Sequence, residues 1–273
     1  MGSLREKGVL IYPVYSRRAG GLSVGINLFP DRKRCSFDCP YCEVFPFSVN
    51  AAFSLEQMER DLRAVADSAK ERSEIVKDIC FSGNGEPSLS PDFPAALKLA
   101  SRIRDENVQS AALVLITNGM GLLEPGVFSL LRDAATSPPF LDIWLKLDAG
   151  TPDWYWKINA APVPHEKLTE KIREFVARAP ATIQTMLCAV DGEKPSTTEA
   201  QAWEKLIVEL AGINGTEGNV RKVQIYGKAR PSPDDPKSTA LPVEYLERRA
   251  ASLRRSLADD RRASAIPPVE VYP

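Results

Sequence analysis

Cys35, Cys39 and Cys42 lie in the run Arg34-Cys35-Ser36-Phe37-Asp38-Cys39-Pro40-Tyr41-Cys42, a C-x3-C-x2-C spacing with an aromatic residue just before the third thiol. Three thiolates this close together can meet at one metal centre from a single loop. A cubane [4Fe–4S] cluster usually takes four cysteines, so three leave one iron open to a small molecule. Two other uses of the triplet fit less well. A structural zinc site wants four closed ligands, often as two C-x2-C pairs. Only Cys80, Cys188 and His165 remain to complete one, and none of them forms a second pair. A disulfide framework suits neither the odd count of five cysteines nor a chain of 273 residues without a secretory leader.

Further polar groups follow at regular intervals. In Phe81-Ser82-Gly83-Asn84-Gly85-Glu86-Pro87, two glycines let the backbone approach a ligand or take positive φ, and Glu86 sets a carboxylate beside them. Ile116-Thr117-Asn118-Gly119 offers Asn118 as a polar contact or as turn geometry. In Lys146-Leu147-Asp148-Ala149-Gly150, strand alternation puts Lys146 and Asp148 on one face. They are either a ligand-binding pair or an ion pair that neutralises two half-buried charges. His165 reads as the polar start of a helix. Trp154, Tyr155 and Trp156 either stack an unpaired base or pack a short helix. Lys228 and Arg230 sit where they bind an anion or are simply solvated. Cys80 and Cys188 read as small core residues.

The elements that must carry these groups alternate along the chain. Strand-like apolar runs cover 23–29, 78–82, 112–117, 141–147, 182–189 and 222–227, and each precedes a helix-like segment. Ser54 with Gln57, and Ser196 with Glu199, are placed as capping boxes. Leu55, Met58, Leu62, Val65 and Ala69 then share one face of the first helix. The other helices start near Asp92, Glu124, His165 and Leu241. Six strand–helix units with right-handed crossovers imply a parallel sheet. Six are too few for a closed eight-stranded barrel, so the expected fold class is α/β, an open partial (βα)6 TIM-like barrel. The long connection over residues 30–53 then places the cysteines after the C-terminal end of a strand, where parallel α/β folds build their sites. Residues 9–15 suggest an extra strand at the floor or edge.

Bulk composition bounds the remaining possibilities. The chain is 30.0 kDa with a pI near 6.1, a net charge of −1, 44% hydrophobic and 26% charged residues. These values suit a globular protein with a sizeable core. No apolar run approaches the roughly 18 residues of a membrane helix, and Met1-Gly2-Ser3-Leu4-Arg5-Glu6-Lys7 lacks the apolar core of a signal peptide. Iron-bound thiolates need reducing surroundings, so the expected location is the cytoplasm. The balanced charge weakens broad nucleic-acid binding. Arg248, Arg249, Arg254, Arg255, Arg261 and Arg262 are interleaved with acidic residues and read as a solvated helix face.

The cysteine triplet followed one strand later by the glycine-rich turn with Glu86 strongly resembles the radical S-adenosylmethionine (SAM) superfamily. The likeness covers about residues 15–250. Arg17-Arg18, the segment 19–30 and Gln224-Ile225-Tyr226-Gly227-Lys228-Ala229-Arg230-Pro231 are similar to the branch around the tRNA wyosine-synthesis enzymes and their bacterial relatives. That branch has additional cysteines before the triplet, and this chain has none there. The resemblance implies a single radical SAM domain over 1–273: an N-terminal extension 1–22, a (βα)6 core 23–257 and a tail 258–273. It also implies one [4Fe–4S] cluster on Cys35, Cys39 and Cys42, with SAM chelating the open iron. The SAM contacts it implies are Tyr41 near the adenine, then Gly83, Asn84, Gly85 and Glu86 at the amino group, and Asn118. Lys146 and Asp148 would serve SAM or substrate. An electron from flavodoxin or ferredoxin would cleave SAM to a 5′-deoxyadenosyl radical, which abstracts hydrogen from an unidentified substrate. RNA, most simply a tRNA base, is one class; a small metabolite, or a protein that the enzyme activates, is the other. A non-catalytic iron–sulfur or zinc protein is the third reading.

Overall fold

The structure, a computed structural model, describes residues 7–213, 220–260 and 266–273. It opens with an antiparallel pair, β1 (Ile11–Ser16) and β2 (Gly21–Ile26), joined by a turn over residues 17–20. Then follow α1 (Leu55–Glu71), β3 (Val76–Phe81), α2 (Phe93–Asn107), β4 (Ala112–Thr117), α3 (Pro125–Thr136) and β5 (Asp142–Lys146). Next come α4 (Pro152–Asn159), α5 (His165–Val176), β6 (Ala181–Val190), α6 (Thr197–Ala211) and β7 (Val220–Gly227). The chain closes with β8 (Ser238–Ala240), α7 (Val243–Asp259) and β9 (Val269–Tyr272). Strands β2 to β7 pair in chain order, all parallel, and β9 adds a parallel strand beside β7. The sheet curls into the half-barrel that the sequence implies. The short β8 pairs antiparallel with the end of β6.

Each strand presents two chemistries. Val24, Ile26, Ile79, Phe81, Leu113, Leu115, Ile143, Leu145, Ile183, Val223 and Ile225 join one apolar core beneath the helices. Fully burying a side chain of this size contributes about 1.5–3 kcal/mol. Alternate residues face inward, where Cys80, Val114 and Trp144 form a separate small apolar cluster. Around it stand Ser23, Asp78, Thr182, Gln184 and Gln224, all buried. The interior of the half-barrel is therefore a polar chamber with an apolar patch.

Several expectations shift in detail. The first parallel strand ends at Ile26 rather than residue 29, because the Asn27 side chain takes over its pairing. Asn27 Oδ1 accepts from the amides of Phe29 (3.1 Å) and Asn84 (3.2 Å), while Nδ2 donates to Val9 O (2.9 Å). Both capping boxes are half realised. Ser54 and Ser196 accept from the amides of Gln57 and Glu199, but neither partner side chain reaches back. Gln57 binds Asp61, and the Glu199 carboxylate turns to the amides of Gly150 (2.6 Å) and Thr151 (2.9 Å). On α1 the buried residues are Met58, Leu62, Ala66 and Ala69, while Leu55 is exposed. Helix α7 starts two residues after Leu241, with Pro242 as its N-cap. The segment expected as a tail supplies β9. Four residues alternating Val-Glu-Val-Tyr are too short a signal to separate from a loop.

The arginine-rich face of α7 is largely engaged. Arg249 pairs with Glu204 (3.4 Å), Arg254 donates to Val269 O (2.6 Å), and Arg248 lies over the Tyr245 ring. Arg261 and Arg262 lie outside the described residues. Thr151 caps α4, which buries Trp154 and Tyr155 and leaves Trp156 exposed. The aromatic cluster thus packs a short helix with two of its three rings. Cys188 is buried and joins the core, on the same face of β6 as Gln184 and the cavity-lining Met186, but it is not itself among the residues that line the cavity.

His165 opens α5, buried, with a ring nitrogen 3.1 Å from Ala149 O and its ring against Tyr155. Burial lowers its pKa from 6.5. The folded protein therefore holds His165 neutral while the unfolded chain takes a proton near pH 6.5. Its contribution is fully present above that pH and is lost as pH falls below it. Thermal melts between pH 7 and pH 5.5 should show a declining Tm, and H165Q should flatten that decline. A decline unchanged in H165Q would assign it to other groups.

Candidate active site

The cysteine loop runs from β2 to α1 and is tied down just before the triplet and within it. Arg34 forms a parallel bridge with Gly85: its amide donates to Asn84 O (2.8 Å), and its carbonyl accepts from the Glu86 amide (2.9 Å). The Asp38 amide donates to Asn159 O (3.0 Å), and Ser238 Oγ donates to Pro40 O (2.9 Å). Phe37 and Tyr41 sink into the core as anchors. All three cysteines, with Tyr41, Gly83, Gly85, Glu86, Asn118 and Lys146, line one cavity of about 370 Å³ inside the half-barrel. Asn84 and Asp148 are not among its lining residues.

Two asparagine amides meet the thiols. Asn159 Nδ2 lies 3.4 Å from Cys39 Sγ, and Asn118 Nδ2 lies 3.6 Å from Cys35 Sγ. Burial pushes the Cys35 thiol up to about 11 and the Cys39 thiol up to about 12. Free of metal, both stay protonated at neutral pH, so cluster assembly releases protons. Among the described residues, no three His, Cys, Asp or Glu side chains close on one point as the ligands of a single ion do. Three thiols lining one cavity, with amide donors at two of them, fit a cluster.

Glu86 sits where β3 and β4 end. It is 2% exposed and accepts from Ser88 N (3.1 Å), Ser88 Oγ (2.6 Å), Thr117 Oγ1 (2.7 Å) and Asn118 N (2.6 Å). Burial raises its pKa, and the donors from Ser88, Thr117 and Asn118 oppose that rise. The result is a fixed carboxylate at the cavity wall. Gly83 has φ +109°, a conformation that favours glycine. A Cβ on Gly85 would stand 1.9 Å from Arg34 O. Asn84 holds the turn from behind, donating to Phe29 O (3.2 Å).

Lys146 and Asp148 do come together, at 3.4 Å. Lys146 reaches the cavity, bonded to the Tyr226 hydroxyl and lying over the Tyr41 ring. Asp148 stands behind it with no side-chain exposure. It accepts from the Tyr41 hydroxyl, Asn159 Nδ2 (2.9 Å) and Met186 N (2.8 Å). The pair thus joins β5 and β6 to the cysteine loop. Lys228 pairs with Asp235, and Arg230 pairs with Glu43 beside the third cysteine. Sequence reasoning missed Asn159, Thr117 and Ser88 as parts of the site. Asn159 is one polar residue at the end of a short helix, and only the folded chain shows that it touches Cys39.

Comparisons with known proteins agree with this geometry. The radical SAM superfamily model matches residues 32–200, more than half of the chain. A UPF0026 protein of Helicobacter pylori is 24% identical over 226 residues, spanning 81% of this chain. This chain in turn spans about 62% of that relative's length. Among solved structures, a radical SAM methyltransferase from Sphaerobacter thermophilus superposes with TM-score 0.63 at 17% identity, covering 95% of this chain and 68% of that one. Streptococcus suis SuiB bound to its precursor peptide SuiA gives TM-score 0.64 at 14% identity, over 90% and 48%. At these identities the two structures speak for the fold. Among the described residues, no helix is long and apolar enough to cross a membrane. The family model and the half-barrel together place this chain in the radical SAM superfamily.

Proposed function

We propose that the chain acts as one radical SAM domain that binds a single [4Fe–4S] cluster through Cys35, Cys39 and Cys42 and cleaves SAM reductively. A cluster held by these three thiols would supply the electron for splitting SAM into methionine and a 5′-deoxyadenosyl radical, which would abstract hydrogen from the substrate. The observation that carries this reading is the shared cavity: three thiols and the Glu86 carboxylate line one space, and the Arg34–Gly85 bridge locks their two loops together. Glu86 and the backbone of Gly83 and Gly85 would take the amino group of SAM. Tyr41 would flank the adenine. Asn118 and Asn159 would hydrogen-bond cluster sulfurs and so tune its potential. Asn84, Lys146 and Asp148 would serve mainly by positioning, Asn84 from behind the turn and the ion pair from behind Tyr41. A flavodoxin or ferredoxin in a reducing cytoplasm would supply the electron.

For the substrate, a small metabolite is supported by the balanced net charge of −1, which offers no broad basic surface for a polyanion. A tRNA base is the second reading, supported by Arg17 and Arg18 at the cavity and by the exposed Trp156. A steep loss of RNA affinity with salt would favour it, and no RNA binding at low salt would remove it.

The deciding experiment is anaerobic reconstitution with iron and sulfide, then dithionite and SAM, with chromatographic detection of 5′-deoxyadenosine. Wild type should form it. C39A should lose it together with its cluster absorption. E86Q should keep the cluster but bind SAM more weakly. A clustered wild-type protein that does not bind SAM would overturn the proposal.

A further inference from the structure

Inside the half-barrel, away from the thiols, stands one cation that the chemistry above does not use. Arg18 belongs to the turn between β1 and β2 at one edge of the sheet, yet it reaches into the chamber. Its guanidinium carbon lies 4.8 Å from the ring centre of Tyr226 on β7 and 6.0 Å from that of Trp144 on β5. It shares the cavity with Tyr12 of β1, Asp78 of β3 and Tyr272 of β9. Arg18 therefore spans the open side of the half-barrel. It is half-buried and lines the same cavity as the cysteines.

Its donors have no protein partner. Among the described residues Arg18 makes no hydrogen bond and no ion pair, only the two ring contacts. Lys146 is engaged by Asp148 and Tyr226, Arg230 by Glu43 and Lys33 by Asp38, while Arg17 on the same turn is exposed and makes no ring contact. Asp78, the nearest candidate to neutralise Arg18, bonds to the Ser23 hydroxyl and forms no ion pair with it. A guanidinium held by aromatic rings keeps its in-plane N–H groups free, and that fork matches a carboxylate or phosphate. Its donors face the cavity, where an entering anion would exchange their water for charge-assisted hydrogen bonds.

We infer that Arg18 is the anchor for an oxyanion of the substrate, a carboxylate or phosphate group, with the flat walls of Trp144 and Tyr226 beside the rest of the molecule. This inference rests on the proposed function for its second ligand, SAM, but its own test does not need SAM cleavage. The placement fits a substrate whose anionic end is held at Arg18 while the reacting carbon lies toward Glu86 and the thiols.

The test is calorimetric titration of the reconstituted protein with benzoate and, separately, with inorganic phosphate, alongside a titration with SAM. Wild type should bind at least one anion saturably. R18Q should weaken that binding about tenfold or more, and R18K should restore only part of it, because a lysine keeps the charge without the fork. SAM binding should be unchanged in both variants. Benzoate alone would mark a carboxylate substrate, and phosphate alone a phosphorylated one. No binding of either anion to wild type, or equal binding to R18Q, would overturn the inference. Failure of SAM to bind beside normal anion binding would count against the proposed function and leave Arg18 as assigned.

Discussion

Replacing Gly85 with alanine is expected to strip the protein of its cluster while leaving most of the half-barrel folded. The new Cβ would stand 1.9 Å from the Arg34 carbonyl oxygen and 2.6 Å from its carbon, both backbone atoms that cannot rotate away. The Arg34 segment must move, and it carries two backbone hydrogen bonds to the turn at 2.8 and 2.9 Å, one residue before Cys35. Overpacking of this kind and the loss of two bonds together cost about 3–5 kcal/mol. That is about two to three and a half decades in the equilibrium between docked and undocked loop. Iron and sulfide analysis after reconstitution should show a largely empty protein, and 5′-deoxyadenosine formation should fall in proportion. Gly126 is the matched control, since a Cβ there meets nothing within 4 Å. G126A should load iron like wild type. If G85A does so too, the Arg34–Gly85 bridge does not hold the loop.

The fold was legible because parallel strands buried on both faces leave short, dense apolar runs between amphipathic helices. The strand at 112–117 matches β4 at both ends, and the helix starts expected near Asp92, Glu124 and His165 fall within one residue of the start of α2, α3 and α5. What escaped was decided by tertiary partners. Asn27 ends β2 early because its side chain bonds to Val9, Phe29 and Asn84, residues far apart in the sequence. Glu199 leaves its local capping role and accepts instead from the amides of Gly150 and Thr151 after β5, 49 and 48 residues away. β9 is recognisable only by the edge of β7 that it completes.

The site divides in the same way. Cysteine spacing and the glycine turn are local patterns, so they could be read directly. Which polar residues face the cavity is not local. Glu86 and Asn118 reach its wall, whereas Asn84, inside the same motif, turns to Phe29. Lys146 and Asp148 share a face as alternation requires, but one lines the cavity and the other is sealed behind Tyr41. Arg18 stood in the sequence only as one of two adjacent arginines. Its reach into the chamber depends on the sheet curling around it.

Replacing Asp148 with alanine is expected to destabilise the fold by about 3–5 kcal/mol, the usual result of removing one partner from a buried ion pair. Lys146 is 14% exposed at its side chain and Asp148 is fully covered. Without the carboxylate, the lysine charge keeps only the Tyr226 hydroxyl and the Tyr41 and Tyr226 rings. The Tyr41 hydroxyl, the Asn159 amide and the Met186 amide lose their acceptor in the same step. Each buried donor left unpaired adds to the penalty. D148N should be milder, since its amide oxygen can still accept, and K146M should relieve part of the D148N loss by removing the stranded charge. Urea unfolding of wild type, both singles and the double variant gives the coupling directly. Because Asn159 touches both Asp148 and Cys39, the variants should also loosen the cluster, seen as faster bleaching of its visible absorption under a chelator. A D148A protein within 1 kcal/mol of wild type, with its cluster equally durable, would mean that the ion pair behind Tyr41 neither braces the sheet nor supports the thiols.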